Sequence, residues 1–358
     1  MINCTACPVN TSRPSCSCSC SCSCSCSCSC SCPSHPCHGS RLVSPSRPAS
    51  QQGVAVIMVL LVLAIVAVTT AALVKRHQFN QAMASQVMHL GQAKAHIQGA
   101  EHWAQQLLQQ DRQDNNVDHQ GEGWAQMAPP MPVEQGFLNG QLTDLQGRFN
   151  LNSLVMGNQV YAPSVAVFER LLIQHDLKPQ LSDDLIDWLD ANVDTPQGTL
   201  EDAYYLSLPV PYRSANQSLL DLSELALVRG FDANTRALLK PFITALPLVA
   251  KINVNSANEG VLMAMSDTIS RTKAQQLLTR RKLNYWPSVA AFVDAVVGQK
   301  SVDNQTQWQN LATIATVSSD YFGLKIGAQF GVAKTHLEST LHRSDNGAVT
   351  VVSRMYTP

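Results

Sequence analysis

Residues 51–77 read QQGVAVIMVLLVLAIVAVTTAALVKRH, a glycine followed by an apolar run that ends at basic residues. The run over 54–74 has 21 residues and no charge. At about 1.5 Å per residue, a helix of this length crosses the roughly 30 Å hydrocarbon core of a bilayer. A secretory signal peptide has a shorter apolar core and a small-residue cleavage site after it, and a buried core helix is rarely this long and apolar. The run therefore predicts a transmembrane helix over residues 54–74.

The helical pattern continues beyond the membrane segment. Apolar residues recur at spacings of three and four from Met83 to Leu107, with polar residues between them. Because no proline occurs between Val54 and Arg112, one helix of about 55 residues, on the order of 80 Å long, can form. We expect an amphipathic continuation over residues 75–112. Basic residues flank both ends of the membrane segment, so charge alone does not set its orientation.

The segment before the apolar run has a different composition. All 12 cysteines lie at or before Cys37, and serine alternates with cysteine from Cys16 to Cys32. Thiolates bind soft metals, but the tract has no CxxC spacing and no apolar residues, so a compositional tract without stable structure is the alternative interpretation. An in-frame repeat and a true start at Val43 would also explain it. Nothing after Cys37 can form a disulfide or a thiolate metal site.

The bulk composition limits the function classes. The chain has 358 residues, a formal net charge of -1 and a pI near 6.8, which argues against an electrostatic nucleic-acid binder. Its histidines form no HExxH pair, and the sequence has no GxSxG motif and no P-loop. We therefore expect no enzymatic activity.

The remaining chain alternates between strand and helix signals. Short strands are predicted at 133–139, 141–144 and 148–151, where glycines and prolines punctuate the pattern. Residues 160–315 carry helical spacing throughout, several segments with Ser, Asp or Asn caps, and predict a compact all-helical domain. Three strands return after Ser318, the last two joined by a hairpin at Asp345-Asn346-Gly347. The fold class is therefore α+β, with a helical block inserted between the strands of an antiparallel sheet.

An acidic stretch in the helical block, DWLDANVDTPQGTLEDAYY at 187–205, has the oxygen spacing of a calcium loop. Counting Asp190 as position 1 places Asn192 at 3, Asp194 at 5 and Glu201 at 12. Thr195 replaces the usual glycine at position 6, so the turn must form differently. The candidate metal ligands, which include two flanking carboxylates, are Asp187, Asp190, Asn192, Asp194, Glu201 and Asp202. The alternative is a solvated acidic loop in which Asp183 or Asp184 caps the helix that contains Trp188.

A second stretch, KINVNSANEGVLMAMSDTISRTKAQQLLTRRKLNYWPSVAAFVDAV at 251–296, has the layout of a helix-hairpin-helix or sterile-alpha-motif (SAM-like) unit. Nucleic-acid modules of this kind offer hairpin amides to phosphate, whereas this hairpin contains Asp267 and no glycine. The basic residues that follow are predicted to form a solvated helix face: Lys273, Arg280, Arg281 and Lys282. A protein-docking surface is favoured over DNA binding.

Taken with these elements, the short leader that ends at Gly53, directly before the apolar helix, resembles the class III signal of type IV pilins and pseudopilins. This resemblance implies prepilin peptidase cleavage between Gly53 and Val54. Most members of the superfamily carry glutamate at the fifth mature position, where this chain has Met58. The missing glutamate, DLQGRFNLN at 144–152, the DWLDANVD stretch and KINVNSAN together resemble the minor pseudopilin K family of type II secretion systems.

Membership of that family implies an architecture and a set of partners. The implied segments are a leader at 1–53, a transmembrane helix at 54–74, an amphipathic helix at 75–112, a first part of a pilin-like sheet at 113–155, a helical insertion at 156–316 and final strands at 317–358. The chain would be anchored in the inner membrane with a periplasmic C-terminal domain, would bind Ca²⁺, and would cap and help initiate the pseudopilus with the other minor pseudopilins. A subunit at the tip has no earlier neighbour whose amino terminus a buried carboxylate would neutralise, which fits Met58.

Two other interpretations stay open at this point. A minor pilin of a type IV pilus or a membrane-tethered calcium-binding adhesin would share the leader and the acidic loop. A membrane-anchored DNA receptor would require DNA binding that depends on salt.

Overall fold

The computed structural model describes residues 52–127, 129–134, 136–191, 203–331 and 333–357. Contacts divide the chain into two compact units, with the boundary between Val74 and Lys75. The predicted leader and Ser/Cys tract at 1–51 lie outside the described residues.

Helix α1 (Gln52–Asp114) begins in the first unit and includes the apolar run. It is long and apolar enough to cross a membrane, and none of its most apolar window is buried. The hydroxyl of Thr69 donates to the carbonyls of Ile65 and Val66, and Thr70 donates to Val66. Both hydroxyls therefore find partners within the helix, as a lipid environment requires. The expected continuous helix is present and ends within two residues of the predicted position.

The second unit contains a five-stranded antiparallel sheet in the order β1-β2-β9-β10-β11. Its strands are β1 (Met131–Val133), β2 (Gly136–Asp144), β9 (Tyr321–Phe330), β10 (Ala333–Arg343) and β11 (Val349–Thr357). The three strands predicted after Ser318 are confirmed as β9, β10 and β11, and the predicted hairpin joins β10 to β11. Gly347 sits there at φ 84°, a left-handed conformation that glycine adopts without steric cost.

The prediction of separate strands at 133–139 and 141–144 is wrong. Gly140 does not interrupt the strand. It lies inside β2 and pairs with Ile326 of β9 in a continuous ladder. The predicted strand at 148–151 shortens to β3 (Phe149–Asn150). The side chain of Asn150 accepts a hydrogen bond from Asn152 N, which bends the backbone into the 3-10 helix Leu151–Leu154.

One hydrophobic core lies between α1 and the sheet. Ala93, Ile97, Ala104 and Leu108 on α1 are buried, at spacings of four, seven and four residues that place them on one helical face. They pack with inward residues of three strands: Leu142 on β2, Phe322, Leu324, Ile326, Ala328 and Phe330 on β9, and Leu337 and Leu341 on β10.

Two ion-pair networks add polar contacts between α1 and the sheet. Arg343, at the end of β10 and 1% exposed, reaches Asp111 on α1 and Asp118 beyond it. Glu101 on α1, also 1% exposed, accepts hydrogen bonds from Ser339 on β10 and Arg354 on β11. Each buried charge therefore has an opposite charge in contact with it, as burial requires.

The segment between β2 and β9 contains most of the shorter helices. These are α2 (Ala162–Gln174), α3 (Leu181–Leu189), α4 (Ala233–Leu239), α5 (Glu259–Met265), α6 (Arg271–Leu283), α7 (Val289–Val297) and α8 (Gln305–Ile314). Side chains of Asp232, Asn258, Ser270 and Ser288 cap α4 to α7. These helices enclose a second hydrophobic core, separate from the one beneath the sheet.

This block is not all-helical, contrary to the prediction. Two-residue strands form parallel pairs, β3 with β6 (Ile243–Thr244) and β7 (Ile252–Asn253) with β8 (Ala315–Thr316). A small antiparallel pair joins β4 (Val155–Met156) to β5 (Gln159–Val160). The two parallel pairs join residues far apart in sequence, and the spacing within a single segment carries no signal for them.

Buried amides connect the helical block to the sheet. The side-chain nitrogen of Asn253 donates to the carboxylate of Asp144, the hydroxyl of Ser319 and the carbonyl of Asp118. Burial raises the pKa of Asp144 to about 6, against the effect of hydrogen bonds that favour its charged form.

Candidate functional site

Helix α3 presents an acidic face opposite its buried side. Its apolar residues, among them Leu185, Trp188 and Leu189, are buried against the second core. Asp183 and Asp184 lie in its first turn, so neither is its N-cap, which is Gln180. Their effect there is electrostatic, because carboxylates stabilise the positive end of a helix dipole.

Two of the predicted metal ligands belong to this face. Asp187 lies on α3 one turn after Asp183, and Asp190 follows the last residue of the helix. Asp190 is 5% exposed although it is a carboxylate. Burial raises the pKa of Asp187, and the carboxylates of Asp190, Asp184 and Asp183 raise it further. Burial and like charges at this site therefore disfavour the charged form of Asp187, an effect that a bound cation would offset.

The basic group beside this face is Arg229, which forms an ion pair with Asp184. Its Nε lies 2.7 Å from Asp184 Oδ1. Arg229 lowers the pKa of Asp187, but its effect is smaller than that of burial or of any of the three neighbouring carboxylates. The described part of this face therefore carries four carboxylates, and Arg229 forms an ion pair with that of Asp184.

The other predicted ligands, Asn192, Asp194, Glu201 and Asp202, lie outside the described residues. The structure does bring described residues from before and after this segment into contact. Trp188 and Tyr205 contact edge to face with ring centroids 5.3 Å apart, and Ala191 N donates to Asn158 Oδ1 over 3.0 Å. Both rings are buried, so the described residues before and after the segment are packed together.

A second acidic group was missed by sequence reasoning. Asp111, Asp118 and Glu122 each offer an oxygen within 4.8 Å of the others. Burial and the carboxylates of Glu122 and Asp118 raise the pKa of Asp111 to about 7, although Arg343 acts in the opposite direction. Asp118 binds Arg343 through both oxygens, and Glu122 accepts from His119 N and Trp124 Nε1. These partners identify a structural cluster. The three acids are close together in sequence, but their partner Arg343 is more than 200 residues away, so the sequence alone did not indicate the cluster.

The 251–296 segment forms β7 and helices α5 to α7, with the hairpin between α5 and α6. Asp267 in the hairpin pairs with Arg170 of α2, whose Nε also donates to Ala264 O over 2.6 Å. The prediction that Arg281 belongs to a solvated face is wrong. Its Nη1 donates to the carbonyls of Val254 and Ala257, and burial lowers its pKa to about 10. Arg280 lies over the Trp286 ring at 4.2 Å.

The predicted processing residues lie at the start of α1. Gln52 is the first helical residue, so Gly53 and Val54 fall in its first turn. Met58 is 63% exposed, in a stretch where every residue over 54–74 is exposed and uncharged. No charged side chain therefore replaces the usual glutamate within this stretch.

Comparison with known proteins gives consistent matches. Residues 147–248 and 252–314 match two family models, both described as type II secretion system, protein K. The chain is 35% identical to type II secretion system protein K of Pseudomonas aeruginosa over 317 residues, 85% of this chain and 92% of that protein. It is 31% identical to the protein of the same name from Pectobacterium carotovorum subsp. carotovorum, over 86% of this chain and 96% of that one.

A solved structure is similar as well. It is the crystal structure of the GspK-GspI-GspJ complex from the enterotoxigenic Escherichia coli type 2 secretion system. The matched chain has a TM-score of 0.65 and 26% identity, and the match covers 75% of this chain and 97% of that chain.

Proposed function

Because the chain belongs to the type II secretion system protein K family, we propose that it is a minor pseudopilin that acts at the tip of the pseudopilus. There it helps initiate and cap the filament that exports folded proteins across the outer membrane. The observation that carries this proposal is 35% identity across 92% of a curated family member. The relatives are named for secretion and not for pilus assembly, which favours this function over a type IV pilus minor pilin or an adhesin.

The membrane anchor is the apolar part of α1. Prepilin peptidase would cleave between Gly53 and Val54 and leave the apolar helix as the new amino terminus, with the C-terminal domain in the periplasm. Met58 then occupies the fifth mature position. A carboxylate there would be costly in lipid without a partner charge, so an uncharged residue suits a subunit with no neighbour ahead of it.

The soluble region would consist of a pilin-like domain with an inserted helical domain. The five-stranded sheet with α1 across it corresponds to the pilin-like part, built from 113–155 and 317–358. The inserted part is 156–316, and its α5 to α7 form the helix-hairpin-helix or SAM-like portion. The observation in support is that β2 and β9 are neighbours in the sheet although the helical block separates them in sequence.

The acidic face of α3 would hold a calcium ion together with the segment that follows it. Asp187 and Asp190 are the described donors, and Asn192, Asp194, Glu201 and Asp202 would complete the set. The donor chemistry fits, since carboxylate and amide oxygens are the ligands of Ca²⁺ and like charges at this face raise the pKa of Asp187. The bound ion would offset the repulsion among the carboxylates of this face.

The partners would be the other minor pseudopilins of the same secretion system, as the complex of the Escherichia coli relative suggests. The test is co-expression of the mature chain with those subunits, followed by a size measurement of the purified material. A defined complex that contains this chain supports the proposal. Elution of this chain alone, with partners that assemble without it, would contradict it.

A further inference from the structure

Arg229 lies in a turn that packs against α3. The next residue, Gly230, has φ 83°, a left-handed conformation that favours glycine. A Cβ atom added at Gly230 would overlap the side chain of Leu181, the first residue of α3. The turn therefore approaches α3 more closely than any residue with a side chain would allow at this position.

The side chain of Arg229 is joined to α3 through Asp184. Its Nε and Nη2 both donate to Asp184 Oδ1. The Asp184 side chain is only 13% exposed, whereas that of Arg229 is 51% exposed. A carboxylate with so little access to water depends on a charged donor, so the contact fixes the turn against this helix.

The same residue contacts the chain on the other side of the acidic segment. The backbone N–H of Arg229 donates to Tyr205 Oη over 3.3 Å, and its guanidinium lies 5.2 Å from the centroid of the Tyr204 ring. Close by, Tyr212 Oη donates to the carbonyl of Leu227 over 2.9 Å. Arg229 therefore joins α3, which precedes the acidic segment, to residues 203–212, which follow it. We call α3 and residues 203–212 the flanks.

The proposed calcium site draws its donors from both ends of the acidic segment. Asp187 and Asp190 come with the first flank, and Glu201 and Asp202 would come from directly before the second. Any ordering of the flanks that has to occur on binding lowers the affinity for the ion. Arginine offers five N–H donors and no acceptor, so Arg229 cannot itself be a ligand of a cation.

We propose that Arg229 is a positioning residue for calcium: it holds the two flanks in the arrangement that the ion binds, without contacting the ion. The inference rests on the calcium binding proposed above, which supplies the ion. If loss of the Arg229 contacts left a tenth of the molecules in this arrangement, the apparent Kd for calcium would rise about tenfold. The positive charge of Arg229 acts in the opposite direction, because it repels a cation.

A double variant separates position from charge. Arg229→Met/Asp184→Asn removes one positive and one negative group, so the net charge stays the same and only the contacts are lost. Lys325→Met/Glu338→Gln is the matched control, because it removes an ion pair between β9 and β10 with the same balance of charge. Tyr204→Leu is a second variant, which removes the ring beneath the guanidinium without any change of charge.

The experiment uses the full chain in detergent, freed of calcium and titrated with calcium in a calorimeter well below the melting temperature of each variant. The double variant at Arg229 and Asp184 is expected to raise the Kd about tenfold, Tyr204→Leu to raise it less, and the control to leave it unchanged. Hydrogen exchange in the calcium-free chain should be faster in both flanks of the double variant. A purely structural role would lower the melting temperature and leave the Kd as it is.

Several results would overturn the inference. An unchanged or lower Kd in the double variant would do so and leave calcium binding by the unaltered chain intact. A raised Kd with unchanged hydrogen exchange in the flanks would exclude a positioning role. Should the double variant not fold, an unchanged Kd in Tyr204→Leu would decide against the proposal. Absence of calcium binding by the unaltered chain would overturn the proposed calcium site and the inference together.

Discussion

Replacement of Arg343 by methionine is expected to cost about 3–5 kcal/mol of unfolding free energy, the range for breaking a buried ion pair. Its guanidinium is 1% exposed and lies 2.8 Å from Asp111 Oδ2 and 2.5 Å from Asp118 Oδ1. It also donates to the carbonyls of Leu108 and Ser319. Arg343→Met therefore leaves the carboxylate of Asp118, 2% exposed, with the Ser319 N–H as its remaining hydrogen-bond donor among the described residues.

Most of this expected loss of unfolding free energy comes from the Asp118 carboxylate, which stays buried without a counter-charge. The lost hydrogen bonds of Arg343 contribute less. A methionine of similar length fills the space, so packing changes little, but a buried carboxylate without a counter-charge is strongly unfavourable. Asp118→Asn should remove most of this penalty when combined with Arg343→Met. We expect the double variant to recover about 2 kcal/mol relative to the sum of the single variants, as for residues in one network.

Urea unfolding followed by tryptophan fluorescence measures these differences, because Trp124 is buried in the core beneath the sheet. Lys325→Met is the matched control: its ion pair with Glu338 is exposed, with side chains 63% and 47% accessible, so its loss should cost at most about 1 kcal/mol. Strict additivity of Arg343→Met and Asp118→Asn, or a cost for Arg343→Met no larger than that of the control, would refute the reasoning.

Three further predictions concern titration, calcium and processing. Burial and neighbouring carboxylates raise the pKa of Asp111 to about 7, so its contribution to stability is complete below the unfolded value of 3.8 and is lost as pH rises through 7. Unfolding free energy should therefore fall between pH 4 and 7 by up to about 1.4 kcal/mol per pH unit. Urea titrations at several pH values should show a flatter slope for Asp111→Asn, and an unchanged slope would contradict the raised pKa of Asp111. Calcium should raise the melting temperature of the unaltered chain but not that of the double variant Asp187→Asn/Asp190→Asn. Equal melting temperatures of the unaltered chain in calcium and in chelator would count against calcium binding. Gly53→Asp should block cleavage, so intact mass should show the uncleaved precursor, and a mature mass would rule out this cleavage position.

Patterns that are local in sequence predicted the main elements of the fold. The uncharged run and the spacing after it predicted α1, and the alternation around Asp345-Asn346-Gly347 predicted the β10–β11 hairpin. The prediction that Gly140 ends a strand is wrong because pairing with β9 stabilises the extended backbone at this glycine. A glycine inside a strand weakens it most where such pairing is absent. The parallel pairs within the helical block also depend on distant partners, which no single segment specifies.

The same distinction applies to the candidate sites. The acidic spacing on α3 is a local signal and indicated Asp187 and Asp190. The ion pair of Arg229 with Asp184 joins residues 45 positions apart, and Arg281 binds carbonyls 24 and 27 positions away. The sequence placed Arg281 on a basic helix face but could not show which side of that helix the core covers.

A minor pseudopilin that helps initiate the pseudopilus should be required for type II secretion. The most direct test of this claim is a strain that lacks the chain, in which a folded secreted protein is measured in the culture medium and in the periplasm. We expect the secreted protein to accumulate in the periplasm of this strain, and the unaltered chain to restore export. Normal export without the chain would contradict the claim.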